Sequence, residues 1–327
     1  MKRRWANILR VLISAGALIF LFWRIVNPGE TLTALRQANL RYLALALFLY
    51  LSSLVVRAYR WFILLRGLDS NVSFGRLVRL YFVGQFFSSF LPTQFGGDVM
   101  RALELTEETD SSAAVGTVLL DRMSGLLVLL LMGLVALPFV AARMDPWLIW
   151  LLIAVAGGGL VAGVVVLQGR FLRRITAWLP PSLSLAGQGS LAQIYAAVTG
   201  CGWRAMMGAF AVSVGFNLIN VLINWLCGQA VDVGVDLGYF FIVTPIISVS
   251  GMVPSIGGWG VREAVSTAIF APIGADADVA AALGISIGGV TLAAGLLGGL
   301  FYGIERLLGW RMRRQSPDPL QNDHQFK

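Results

Sequence analysis

The chain has 327 residues, 57% of them hydrophobic and 13% charged, and a formal net charge of +8. Soluble domains carry about 25% charged residues, so a soluble enzyme, a disordered chain and a nucleic-acid binder are excluded. The 25 basic residues are scattered between apolar runs, where they orient helices in a bilayer rather than grip phosphate backbones.

A spanning helix needs roughly 20 mostly apolar residues. The first candidate is 6–26. It follows Met1-Lys2-Arg3-Arg4, and Ala15-Gly16-Ala17 resembles a leader cleavage site. The apolar run continues through Leu18 to Trp23, however, which predicts an uncleaved anchor helix. Further full spans are predicted at 42–64, 113–137, 147–167, 205–227 and 279–305. The stretch 168–202 holds Arg170, Arg173, Arg174, Pro180 and Pro181 and predicts a linker with a short interfacial helix. It separates the halves, about 1–140 and 141–314, of a single transmembrane domain, 1–314. Residues 315–327 are polar and predict a disordered cytoplasmic tail. Cys201 and Cys227 bound an apolar stretch, and the one histidine, His324, lies in the tail. No metal site, no cofactor and no membrane-embedded histidine base is expected.

Two segments resemble each other. Ser88-Ser89-Phe90-Leu91-Pro92-Thr93-Gln94-Phe95-Gly96-Gly97-Asp98-Val99-Met100-Arg101 is echoed by Ser250-Gly251-Met252-Val253-Pro254-Ser255-Ile256-Gly257-Gly258-Trp259-Gly260-Val261-Arg262-Glu263. Each has a proline, then a Gly-Gly pair, then an arginine four residues past the second glycine. The pairs lie 161 positions apart, and that shift also carries 42–64 and 113–137 onto apolar runs. A duplicated fold is implied. Proline and paired glycines break a helix, and the freed backbone groups cannot face lipid. The predicted fold is therefore an all-α polytopic membrane protein of about six full spans plus two re-entrant helical hairpins in an inverted repeat. The rival makes 78–91 and 238–253 full spans. With six spans, two hairpins and both termini cytoplasmic, 18 basic residues fall inside, Arg57 and Arg60 among them, and four fall outside. Converting only the first hairpin to a span would move Arg170, Arg173 and Arg174 outside, against the positive-inside rule.

Ionisable groups at membrane depth usually face a cavity or a partner. Asp98, Arg101, Arg262 and Glu263 follow the Gly-Gly turns, and each turn starts a half-helix whose free N–H groups suit an anion. Two such ends, each with an arginine, would make a phosphate site. Alternatively, Asp98 pairs with Arg101 or Arg122, and Arg262 with Glu263 or Asp121, for neutralisation alone. Asp121-Arg122 reads as an internal ion pair. Asn217, Asn220 and Asn224 share one helix face, and either line a polar path or bond neighbouring helices. Gly288, Gly289, Gly295, Gly298 and Gly299 predict close helix packing. Glu104, Glu107, Glu108 and Asp110 read as a solvated face.

The constellation Pro92…Gly96-Gly97-Asp98-Val99-Met100-Arg101, Asp121-Arg122 and Pro254…Gly257-Gly258-Trp259-Gly260-Val261-Arg262-Glu263 resembles the lysylphosphatidylglycerol synthase transmembrane family. This is the flippase-like domain at the N-terminus of the multiple peptide resistance factor, and the likeness covers roughly residues 1–310. The resemblance implies a domain that moves an anionic or lipid-linked head group between leaflets. Asp98, Arg101, Asp121, Arg122, Arg262 and Glu263 would line its central site, beside Gly96, Gly97, Gly257 and Gly258. Asp121 departs from the glutamate more usual there. No aminoacyltransferase domain follows Arg314, so lysyl-lipid synthesis by this chain alone is not expected. The expected function is lipid flippase-like transport, with no catalytic residue. The alternatives are a membrane transferase acting on a lipid-linked sugar or phosphate through Asp98 and Asp121, a small-anion transporter, or a partner subunit of a lipid-modifying enzyme. The expected partners are a phospholipid or lipid-linked substrate and the bilayer, with no nucleic acid. The expected location is the plasma membrane.

Overall fold

The computed structural model describes residues 27–91, 95–141, 145–168, 174, 176, 178, 189–253, 255 and 257–315. The predicted anchor 6–26, Pro92, Pro254, most of the linker and the tail from 316 lie outside them. The described residues form eleven α-helices and one 3-10 turn, with no strand. In chain order the helices are α1 (Pro28–Gln37), α2 (Leu40–Arg66), α3 (Phe74–Phe90), α4 (Gly96–Leu105), α5 (Ser111–Val140), α6 (Pro146–Gln168), α7 (Ser190–Gly200), α8 (Gly202–Ala230), α9 (Leu237–Ser250), α10 (Val261–Phe270) and α11 (Ala277–Gln315). Five of them, α2, α5, α6, α8 and α11, are long and apolar enough to cross a membrane. They contain the five predicted spans that fall on described residues, so the chain is a multi-pass membrane protein.

Local signals set the helix starts. Asn27 accepts a hydrogen bond from Gly29 N–H ahead of Pro28, Asn39 accepts one from Arg41 N–H, and Ser73 accepts one from Arg76 N–H. The order of elements repeats. Shifting α1 to α5 by 161 positions brings each start to within five residues of the start of α7 to α11. The long α6 joins the copies.

The helix ends sort by their contacts. Gly67, after α2, packs so closely that an added Cβ would come within 2.3 Å of the Cys201 carbonyl oxygen before α8. At the other end, Asn39 N–H donates to Ala230 O over 2.8 Å, and Asn27 N–H to Asp278 Oδ1 over 2.6 Å. Hence α2 and α8 run antiparallel. The shorter helices come in pairs. Arg76, at the start of α3, bonds Glu108 just past α4 at 2.8 Å and also reaches Glu104 and Glu107. The acidic cluster read as a solvated face thus clamps the outer ends of α3 and α4 together. Tyr239, at the start of α9, donates through Oη to Ile269 O near the end of α10 over 2.9 Å.

Between α9 and α10, Gly257, Gly258 and Gly260 hold φ of +58°, +82° and +85°. Residues with a Cβ avoid that region, and glycine enters it freely. The inner tips of the two helix pairs meet here, since a Cβ on Gly257 would lie 3.0 Å from Ser89 O. Gly295, Gly298 and Gly299 of α11 face Ser89, the Phe82 carbonyl and the Phe86 ring of α3. That is the close packing their spacing predicts. Gly289, by contrast, faces open space.

Candidate functional site

The two tips and the inner faces of α2, α5, α8 and α11 enclose a polar cavity of about 300 Å³. Of the predicted site residues, Gly97, Asp98, Arg101, Asp121, Arg122, Asn217, Asn220, Asn224, Gly257, Gly258 and Arg262 all line it. Two predicted residues stand behind the wall. Gly96 is buried against Leu91, and Glu263 is fully buried with Oε2 accepting from Gly260 N–H at 2.6 Å. Glu263 therefore closes the first turn of α10.

An arginine-carboxylate chain forms the floor. Asp121, 1% exposed, accepts from Arg60 Nε at 2.7 Å, from Arg101 Nη1 at 3.4 Å and from Tyr81 Oη. Arg101 Nη2 continues to Asp98 Oδ1 at 2.5 Å, and Arg122 bonds the other oxygen of Asp98. Aromatic faces take up the remaining guanidinium surface. The Arg101 guanidinium carbon lies 4.0 Å from the Tyr81 ring centroid, and that of Arg122 lies 4.2 Å from the Phe95 centroid. Asp98 thus pairs with both Arg101 and Arg122, whereas Asp121 and Arg122, expected to pair with each other, turn to different partners: Asp121 to Arg60 and Arg101, and Arg122 to Asp98. Arg262 belongs to a separate pair, with Glu263 at 3.5 Å and the Gly284 carbonyl at 3.0 Å.

A glycine makes room for each of three buried arginines. A Cβ on Gly125 would come within 2.4 Å of Arg60 Nη1, one on Gly84 within 2.9 Å of Arg101 Cγ, and one on Gly288 within 2.3 Å of Arg262 Nη2. The asparagines divide their work. Asn217 Nδ2 donates to the Gly125 and Ser213 carbonyls, both at 2.9 Å, and Asn224 Nδ2 to Thr244 Oγ1 at 3.3 Å. Each therefore bonds a neighbour and lines the cavity as well.

Arg57 and Arg60, counted above as inner-side charges, belong to the cavity wall. They sit more than one turn before the end of α2. Their signal was a polar stripe at helical spacing, Tyr50, Ser53, Arg57 and Arg60, continued on α3 by Tyr81, Gln85 and Ser88. The charge is lopsided. The 161-residue shift carries Arg57, Arg60, Tyr81, Asp98, Asp121 and Arg122 onto Leu218, Val221, Ile242, Trp259, Ala282 and Leu283. Only Arg101 keeps its like, Arg262.

The chain is 25% identical to a UPF0104 membrane protein of Methanothermobacter thermautotrophicus, over 89% of this chain and 92% of that one. It is 28% identical over 109 residues to a UPF0104 membrane protein of Pyrococcus horikoshii, a match that spans about a third of each chain, 32%. Residues 7–299 match the family described as the lysylphosphatidylglycerol synthase TM region. This match takes in every residue of the cavity wall, and the chain belongs to that family.

Proposed function

We propose that the chain is a flippase-like protein that moves an anionic or lipid-linked head group between the leaflets of the plasma membrane. The observation that carries this reading is the cavity itself. It lies where two broken helix pairs meet, and its walls hold more guanidinium than carboxylate charge. An anionic head group entering it can exchange with Asp98 on Arg101 and Arg122. The Asp98 side chain is 18% exposed, against 1% for Asp121, and is the easier of the two to displace. The acyl chains stay in lipid while the head group crosses. A lipid-modifying enzyme is the natural source or recipient of such a cargo.

In this reading α3–α4 and α9–α10 are re-entrant hairpins of an inverted repeat. Their lengths support it, since at 1.5 Å per residue α3 spans about 25 Å and α4 and α10 about 15 Å, against a core of about 30 Å. Cysteine labelling tests the arrangement. Both native thiols are buried, and burial pushes Cys201 up to about 11, so it stays protonated and unreactive. Arg66→Cys and Leu172→Cys should label from the cytoplasm, and Glu30→Cys and Asp276→Cys from outside. Labelling of Leu172→Cys from outside would sink the two-hairpin arrangement.

Transport is tested in proteoliposomes by the exposure of a reporter anionic lipid to an external quencher. Arg101→Gln and Arg262→Gln should each slow its crossing by about tenfold or more, the scale of one lost charge-assisted contact. Arg122→Gln, at the more open edge of the cavity, serves where Arg101→Gln folds poorly. Folded variants that transport like the parent would overturn the reading.

A further inference from the structure

The head group's charge can be read from the groups around the cavity; this step rests on the transport reading above. Five guanidiniums, of Arg57, Arg60, Arg101, Arg122 and Arg262, line the walls against two carboxylates, Asp98 and Asp121. A third carboxylate, Glu263, pairs with Arg262 from behind. Among the described residues two positive charges are left over. Arg57 is the clearest case. Its Nε is buried without a hydrogen-bond partner, and its guanidinium lies between the rings of Phe216, Tyr81 and Tyr50 at 5.2, 5.5 and 5.7 Å. Uncompensated charge at membrane depth is disfavoured until a counter-charge arrives. A second observation lies on α8, next to Phe216. Asn217 is 1% exposed and spends its amide group on two carbonyls, while its Oδ1 has no donor. The site thus combines a surplus of two positive charges with a buried acceptor. Its volume of about 300 Å³ admits a phosphate-bearing head group.

We propose that the cargo is a lipid whose head group carries two negative charges on phosphate, as a phosphomonoester or diphosphate does, and not a singly charged phosphodiester or a zwitterion. Arg57 and the Arg101–Arg122 pair meet the phosphate oxygens, and Asn217 Oδ1 accepts from a neighbouring hydroxyl. A phosphomonoester loses its second charge near pH 6, so its advantage fades as pH falls through that value. The groups facing it are Tyr50, Arg57 and Arg60 from α2, Tyr81 from α3, Asp98 and Arg101 from α4, Asp121 and Arg122 from α5, and Arg262 from α10. A phosphodiester lipid with the same tails controls for any change in the protein itself.

The test is binding of phosphatidic acid and phosphatidylglycerol of matched chains to the purified full chain, from pH 7.5 to pH 5.5. Phosphatidic acid should bind tighter by about tenfold or more at the upper pH, with the gap closing below about pH 6. Arg57→Gln should lower binding of phosphatidic acid more than that of phosphatidylglycerol. Equal binding of the two lipids at every pH overturns the dianion proposal and leaves the transport reading standing. Binding of neither, together with unchanged transport by Arg101→Gln and Arg262→Gln, overturns both. Displacement of phosphatidic acid by an equal concentration of glycerol 3-phosphate keeps the dianion site but overturns its lipid source.

Discussion

Asp121→Asn is expected to destabilise the protein by about 3–5 kcal/mol, the cost of removing one partner from a buried ion pair. The carboxylate serves Arg60, Arg101 and Tyr81 at once, and the two arginines are 3% and 5% exposed. An asparagine leaves the Arg60 guanidinium deep in the bundle with a neutral neighbour and Arg101 with Asp98 alone. Asp98→Asn should cost far less, about 1 kcal/mol, because Arg122, with 26% of its side chain exposed, can turn to water in the cavity. Denaturant unfolding in detergent, following tryptophan fluorescence, separates the two. If both variants unfold at the parent's midpoint, the chain from Arg60 to Arg122 holds nothing together.

The second large effect lies in the helix seams. A Cβ on Gly97 would sit 2.0 Å from Gly84 O, and one on Gly298 would sit 2.2 Å from Phe82 O. Those neighbours are backbone, so neither clash is relieved by turning a side chain. Gly97→Ala must push α4 off α3, and Gly298→Ala must push α11 off α3. Each should cost about 3 kcal/mol, the upper end for overpacking, and lower the yield of folded protein. Gly289→Ala in the same α11 meets nothing within 4 Å. It should be neutral or stabilise slightly, by up to about 1 kcal/mol, from helix propensity alone. Thermal melts of the three variants would show no such order if the seams were loose.

Spans and breaks were legible because the bilayer imposes simple rules. Apolar runs of the right length gave α2, α5, α6, α8 and α11, and the paired Gly-Gly signatures marked both interruptions. The site was legible only where a motif carried it. Arg101 and Arg262 stood out by following the glycines, whereas Arg57 and Arg60 were hidden by counting charge on helix ends instead of reading helix faces. Glu263 lies behind the cavity wall. Its place next to Arg262 suggested a ligand contact, but its position in the first turn of α10 makes it a cap. Which carboxylate serves which arginine depends on how α2 and α5 pack, and that geometry cannot be deduced from spacing along either helix.

For the transport proposed above, the lopsided distribution of charge across two matching halves has a kinetic consequence. A passage with identical halves would hold its cargo equally well from either leaflet. Here the α2–α5 copy carries nearly all the charge, so the proposed path would have a free-energy profile with one deep basin and one shallow one. Depth governs where the cargo dwells and not where it accumulates. Without an input of energy, both directions cross the same barriers, and the resting ratio between leaflets is unaffected. Cargo presented from the side that reaches the charged copy first should saturate at lower density and turn over more slowly. The two changes compensate, so the ratio of maximal rate to half-saturating density is the same from both sides.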